Sequence, residues 1–283
     1  MTTRALVLAG GGSTGNAWSL GVVAGLADGG LDVTGADVMI GTSAGATTAA
    51  QLAATSPAEL FAAAVVPVPA RGGAAGPQAA AESMARTAAI IAESADAADM
   101  RRRMGAAAIA LDPHGERAAR WRAIVAHRLP DTAWPTRQML ITAVDARTGE
   151  PVVFDRDSGV DMADAVAASC SSGFAYAVGG ERYIDGGYRR NENADLATGF
   201  ERVLVLSPFG GRSRHPRSWG TDLSSQVDEL RAGGSSVETI FPGAGAERML
   251  GAAAMDVSLR PEAAQRGYDR GRTLAGELIG FWT

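Results

Sequence analysis

The sequence predicts an α/β domain built on a mostly parallel central sheet and carrying an Ala-rich helical insertion. Three observations lead there. Within the first 55 residues the chain reads strand, turn, helix, strand, turn, helix, a rhythm that places successive strands parallel. Both turns are glycine-rich, and both follow short apolar runs of the kind that sheets bury on two faces. From Ser56 to about Arg128 the sequence turns alanine-rich and helical before strand patterns return at Gln138.

The elements follow in order. Arg4–Ala9 is a buried strand, the glycines follow, and a helix is expected from about Asn16 to Ala27. "DVMIG" (Asp37–Gly41) is a second buried strand, and Ala44–Ala54 has helical composition. The insertion, at about 56–130, is broken by "PVPARGGAAGP" (Pro67–Pro77). Gln138–Val144 is a strand that the turn "DARTGE" joins to Pro151–Asp155, a plausible hairpin. Ala163–Val178 reads as a helix running into a loop, and Arg202–Pro208 as another central strand. With no fixed-period repeat and no linker, residues 1–283 read as one domain.

Composition narrows the function. The 283 residues, 46% of them hydrophobic, suffice for a sizeable core. Aromatic residues are only 6% against 36 glycines, so elements should pack by close backbone approach. A net charge of −5 without a basic patch excludes a nucleic-acid partner, and Arg101-Arg102-Arg103 reads as a solvated helix face. The single cysteine, Cys170, allows no intramolecular disulfide and no metal-site spacing, and reads as a small buried side chain. The first apolar run is too short for a secretory signal, and the uncharged stretch Val38–Ala58 is interrupted by Gln51, Pro57 and several hydroxyls. A cytoplasmic protein is expected. All 26 basic residues are arginine, which excludes Schiff-base chemistry, lysine-dependent phosphate loops and Ser–Lys catalysis. Histidine occurs only at positions 114, 127 and 215.

Two turns carry the chemistry. In "GGGSTG" the spacing Gly10-x-Gly12-x-x-Gly15 fits a dinucleotide loop, with Asp28 or Asp32 as ribose ligand. The same exposed backbone donors could instead receive the oxyanion of acyl transfer. The second turn, "GTSAG", sets Ser43 between Gly41 and Gly45 and between a strand and a helix, the context of a nucleophile elbow. Further along, Asp185 ends an apolar strand just before Gly186 and Gly187, whose lack of side chains lets another backbone approach the carboxylate.

With "GGGSTG", "GTSAG" and "DGG" in that order, the chain resembles a patatin-like phospholipase over most of its length. The resemblance implies a three-layer sandwich and a Ser–Asp dyad acting on lipid carboxylic esters. It makes Ser43 the nucleophile, Asp185 the base, and Gly10, Gly11 and Gly12 the oxyanion hole, with no metal or organic cofactor. A branched side chain at Gly11 is then expected to obstruct the carbonyl oxygen. The sequence departs from the family pattern at Thr14, where a basic residue is usual, and at Asn193, where a proline is usual. Asn191 matches a familiar asparagine. An α/β-hydrolase triad of Ser43, Asp185 and His215 stays open, as does a non-catalytic nucleotide-binding protein. The stretch from Ala264 through Tyr268, Gly271, Leu274, Ala275 and Leu278 to Trp282 has helical spacing, for core packing or a membrane surface. Met84, Ile90, Ile91 and Met100 suit either a lid over an acyl chain or the core.

Overall fold

A computed structural model describes residues 2–67 and 77–283. The glycine–proline break expected at Pro67–Pro77 therefore lies almost wholly outside the described residues. The strands β1 (Arg4–Leu8), β2 (Val38–Gly41), β3 (Gln138–Asp145), β4 (Pro151–Phe154), β5 (Tyr176–Val178), β6 (Glu181–Asp185), β7 (Arg202–Leu206) and β8 (Ser236–Ile240) form one sheet. Its hydrogen-bonded succession is β5-β6-β3-β2-β1-β7-β8, with β4 also paired to β3. The β3–β2, β2–β1, β1–β7 and β7–β8 ladders are parallel, while β4 and β6 run antiparallel to β3. The fold is the predicted mixed α/β architecture with a mostly parallel sheet.

The register along β3 positions the site. Ile141 pairs with Gly41 and with Phe154, while Ala143 pairs with Val152 and with Asp185. A residue has one partner on each edge, and β4 holds the same edge of both Ile141 and Ala143. Strands β2 and β6 therefore share the other edge and run toward each other. Their carboxyl ends, Gly41 and Asp185, face one another with the single β3 residue Thr142 between their register positions.

Helices cover both faces because strand side chains alternate. Leu6, Leu8, Met39, Met139, Ile141, Leu204 and Leu206 face the larger core with α1 (Gly12–Asp28), α2 (Ala44–Ala54), α7 (Met162–Ser169) and α9 (Arg260–Trp282). Ala5, Val7, Val38, Ile40, Val203 and Val205 face α8 (Leu223–Ala232). Between α2 and β3 lie α3 (Pro57–Ala64), α4 (Pro77–Glu93), α5 (Ala97–Leu111) and α6 (Ala118–Ala126). Ile91 and Met100 pack on Val144 and Ile184 as core residues, with Ile90 against them, whereas Met84 is exposed. Arg102 and Arg103 pair with Asp99 at the surface, and Arg101 donates to the Gly149 carbonyl.

Helix α1 begins at Gly12, inside the glycine turn and four residues earlier than expected from sequence. Helix α7 ends at Ser169, and the expected loop beyond it contains β5. The apolar stripe of α9 packs largely on α1: Ala264, Gly271, Ala275, Leu278 and Trp282 are buried, and Tyr268 and Leu274 half-buried. That face is core and is not available to a membrane surface. No helix among the described residues is long and apolar enough to cross a membrane.

Candidate active site

The elbow forms as "GTSAG" predicts. Ser43 adopts φ 52° and ψ −116°, a conformation costly for any residue with a Cβ, and α2 starts at the next residue. Gly41 and Gly45 are obligatory by contact. A Cβ on Gly41 would lie 2.6 Å from the Ala46 Cα, and one on Gly45 would overlap the Leu8 carbonyl. Helix α2 thus rests directly on the end of β1. The Ser43 N–H donates to the Ser169 Oγ at 2.8 Å, and the Cys170 thiol donates to the Ser43 carbonyl at 3.1 Å.

Asp185, 6% exposed, ends β6 beside that serine. Its Oδ1 accepts the Gly187 N–H at 2.8 Å, and its backbone N–H donates to the Ser171 carbonyl. The short segment Ser169–Ser171 therefore holds one backbone N–H from each member of the pair. Burial pushes the Asp185 carboxyl up to about 6, partly offset by the Gly187 N–H and by hydrogen bonding with the Ser43 hydroxyl. Gly186 sits so tightly on Thr142 that a Cβ would overlap that residue's hydroxyl and carbonyl. The serine and the carboxylate named from sequence are brought together.

The glycine loop is divided in its roles. Gly10 lies beside Ser43, but its N–H donates to the Asn191 carbonyl at 3.1 Å, and the Asn191 side chain returns a bond to the Gly10 carbonyl. Among the described residues the N–H groups of Gly11 and Gly12 have no backbone acceptor. Gly12 needs φ +64°, which a side chain would disfavour. Gly15 faces Pro208, as does Gly11, whose Cβ would lie 2.8 Å from the Pro208 Cγ and 2.9 Å from the Gly15 Cα. A side chain at Gly11 would thus strike Pro208 and the first turn of α1. The first turns of α1 and α2 carry no acidic residue, so no side chain within either turn offsets the positive end of its helix, and that of α2 lies directly at the serine.

Thr14 does not face solvent. Its hydroxyl donates to the Met249 carbonyl at 2.9 Å, pinning the stretch before α9. A guanidinium reaches this turn from another direction, since Arg260 donates to the Ser13 carbonyl at 2.7 Å and to the Asn16 Oδ1 at 3.1 Å. His215 is turned elsewhere: its Nδ1 lies 3.0 Å from the Thr221 Oγ1 and its ring packs on Trp219. Burial, reinforced by Arg101 and Arg214, pushes its imidazole down to about 4. The two candidate ribose ligands are also occupied, Asp28 with Arg272 and Tyr268, and Asp32 with Thr34. A hollow of about 580 Å³ lined by Thr34, Asp37 and Arg137 lies at the start of β2 and β3, the opposite end of the sheet from Ser43. Among the described residues no group of three His, Cys, Asp or Glu could hold a metal ion.

A family model for patatin-like phospholipases matches residues 6–198, which takes in the glycine loop, the elbow and the Asp-Gly-Gly turn. The chain belongs to the patatin-like phospholipase family. Patatin-like phospholipases are lipid acyl hydrolases, and the strained serine and the buried carboxylate both fall within the matched span. Among solved structures the chain is similar to VipD from Legionella pneumophila, at 14% identity and TM-score 0.44, covering 98% of this chain and 67% of that one. It is also similar to the type III effector protein ExoU, at 16% identity and TM-score 0.42, covering 98% of this chain and 53% of that one. No curated protein sequence matches the chain.

Sequence reasoning missed Ser169, Thr142 and Arg260 as parts of this patatin-like site and took Cys170 for plain core. Cys170 is half-buried against the elbow, and burial pushes its thiol up to about 12, which keeps it a neutral donor. "ASCSSG" offered no signal beyond its run of small hydroxyl residues. Arg260 lies 217 residues from Ser43 along the chain, a separation that no local pattern bridges.

Proposed function

We propose that the chain hydrolyses carboxylic esters of lipids through an acyl-enzyme on Ser43, with Asp185 as general base. The observation that carries this reading is a serine at φ 52° on an elbow beside a buried carboxylate. Asp185 takes the hydroxyl proton as Oγ attacks the ester carbonyl, and the N–H groups of Gly11 and Gly12 receive the oxyanion. Gly10, its N–H already bonded, shapes the loop and is not a donor. Protonated Asp185 returns that proton to the alkoxide as the ester C–O bond breaks, and the regenerated carboxylate then activates the water that releases the acid. No step needs a metal or an organic cofactor.

A carboxyl raised to about 6 is a stronger base than an exposed aspartate and is still ionised at neutral pH. Turnover should therefore fall as pH drops through about 6. The direct test is labelling by an uncharged fluorophosphonate. Wild type should acquire one adduct, on the peptide that contains Ser43, and Ser43→Ala none. Failure to label, together with inactivity across esters of varied head group and acyl length, would overturn the reading.

A further inference from the structure

We propose that Asn193 is a positioning residue: its carboxamide clamps the turns that carry Ser43 and Asp185 to the strand on which both are registered. The inference rests on the hydrolase reading above and adds a residue that touches neither reacting group.

Among the described residues only two that are not glycine have positive φ, Ser43 and Asn193. Asn193 sits at φ 53° and ψ 36°, a region that asparagine enters more readily than other side chains. Its side chain is wholly buried. Nδ2 lies 2.9 Å from the Thr42 Oγ1, 3.2 Å from the Thr142 Oγ1, 3.2 Å from the Gly186 carbonyl and 2.6 Å from the Arg190 carbonyl. Thr42 immediately precedes Ser43, and Gly186 immediately follows Asp185. Thr142 stands between Ile141 and Ala143, the β3 partners of Gly41 and Asp185. One amide thus touches a neighbour of each member of the pair and the strand between them.

The orientation of that amide is fixed. Its Oδ1 accepts from Arg189 at 2.7 Å, and Arg189 is itself held by both oxygens of Asp195. The guanidinium can only donate, so the carboxamide oxygen must face it and the NH2 must face the acceptors. Two amide protons serve four acceptors, and the Thr42 and Thr142 hydroxyls, 3.0 Å apart, complete each other's bonding. A proline at this position could reproduce neither the φ nor the donor.

Loosening the clamp should separate the hydroxyl from the carboxylate and admit water around Asp185. Misplacement by about 1 Å costs on the order of a hundredfold in rate. Asn193→Gly keeps the left-handed backbone and removes the amide. For this variant kcat on a soluble ester should fall about a hundredfold while KM stays within about threefold. The Asp185 carboxyl, followed by 13C NMR, should titrate below its wild-type inflection, toward the ordinary aspartate range. Loss of folded protein alone would lower the apparent rate without moving that inflection. Either readout unmoved, after correction for the folded fraction, overturns the clamp.

Should Asn193→Gly fail to fold, Thr142→Val against Thr142→Ser decides. Valine should slow turnover about tenfold and serine should restore it, whereas equal rates overturn the clamp. If wild type neither labels with fluorophosphonate nor hydrolyses any ester, the hydrolase reading fails by itself. The carboxyl titration of the same variants then decides the clamp alone.

Discussion

The seam between α1 and α9 and the site at the carboxyl ends of the strands both depend on glycine, for opposite reasons. In the seam, Gly21 and Gly25 on α1 face Gly267 and Gly271 on α9, and a Cβ on any of the four would overlap a backbone carbonyl of the other helix. Each glycine forgoes about 1 kcal/mol of helix propensity, which the close contact of two long helices must offset. In the site, glycines leave room for strained or polar groups: Ser43 at positive φ, a buried carboxylate, and the buried polar residues Thr42, Thr142, Glu192 and Asn193. The seam is apolar contact between helices, whereas the site buries groups that favour water. Stability should reside in the first region and function in the second, and substitutions can separate them.

The largest effect should come from Asp185→Asn. In the proposed mechanism Asp185 is the general base, and its loss should lower kcat/KM roughly a thousandfold or more. The same change should stabilise the fold at pH 8. The Asp185 carboxyl is raised to about 6 from an ordinary value of 3.8, so the folded state favours the protonated form. Stability tied to this group is fully present below about pH 4 and is lost as pH rises through 6. A shift of this size corresponds to roughly 2–3 kcal/mol, which a neutral asparagine recovers. Thermal melts of wild type and variant at pH 4 and pH 8 check it: the variant should gain at pH 8 and not at pH 4. An equal change at both values would show that burial of the charge is not the cause.

Gly21→Ala should do the reverse. Its methyl group would press on the Ala264 carbonyl and the Tyr268 N–H, forcing α9 away from α1. Overpacking of this kind costs typically about 1–3 kcal/mol, here against backbone that cannot rotate aside. The melting temperature should fall by several degrees, while fluorophosphonate labelling per folded molecule stays as in wild type. Slowed labelling would couple the seam to the site and weaken the contrast between them.

The two regions were not equally legible in the sequence. Short continuous apolar runs marked β1, β2, β3 and β7, because a strand buried on both faces has few ways to be written. The elbow and the Asp-Gly-Gly turn were legible for a related reason, since close backbone contact admits only glycine at Gly41, Gly45 and Gly186. Helix α1 was placed to start too late because Gly12, Thr14 and Gly15 are poor helix formers, and the turn is held instead by the bond from the Thr14 N–H to the Ala254 carbonyl. The roles of Asn193 and Arg260 were not legible: Asn193 joins residues 42, 142 and 186, and Arg260 reaches residues 13 and 16, pairings that exist only once the sheet has formed. Gly10 was assigned a donor role that its bond to Asn191 already occupies, and only a tertiary contact could reveal it.

The smallest expected effect sharpens the boundary of the site. His215 is the histidine that a triad would require, yet it lies against Thr221 and Trp219, and the Asp185 carboxylate is bonded to Gly187. With its imidazole pushed down to about 4 by burial and by Arg101 and Arg214, it is a poor acceptor for the serine proton. His215→Ala should hold kcat/KM within about tenfold, the residual loss coming from slackened packing on Trp219. Its stability effect carries a sign as well. The folded state favours neutral imidazole, so the contribution of this histidine is present above about pH 6.5 and lost as pH falls through 4. The melting-temperature gap between wild type and His215→Ala should therefore narrow from pH 7 to pH 4. Were the histidine variant inactive and Asp185→Asn merely slow, the base would be His215, and the site would extend beyond the network that Asn193 joins.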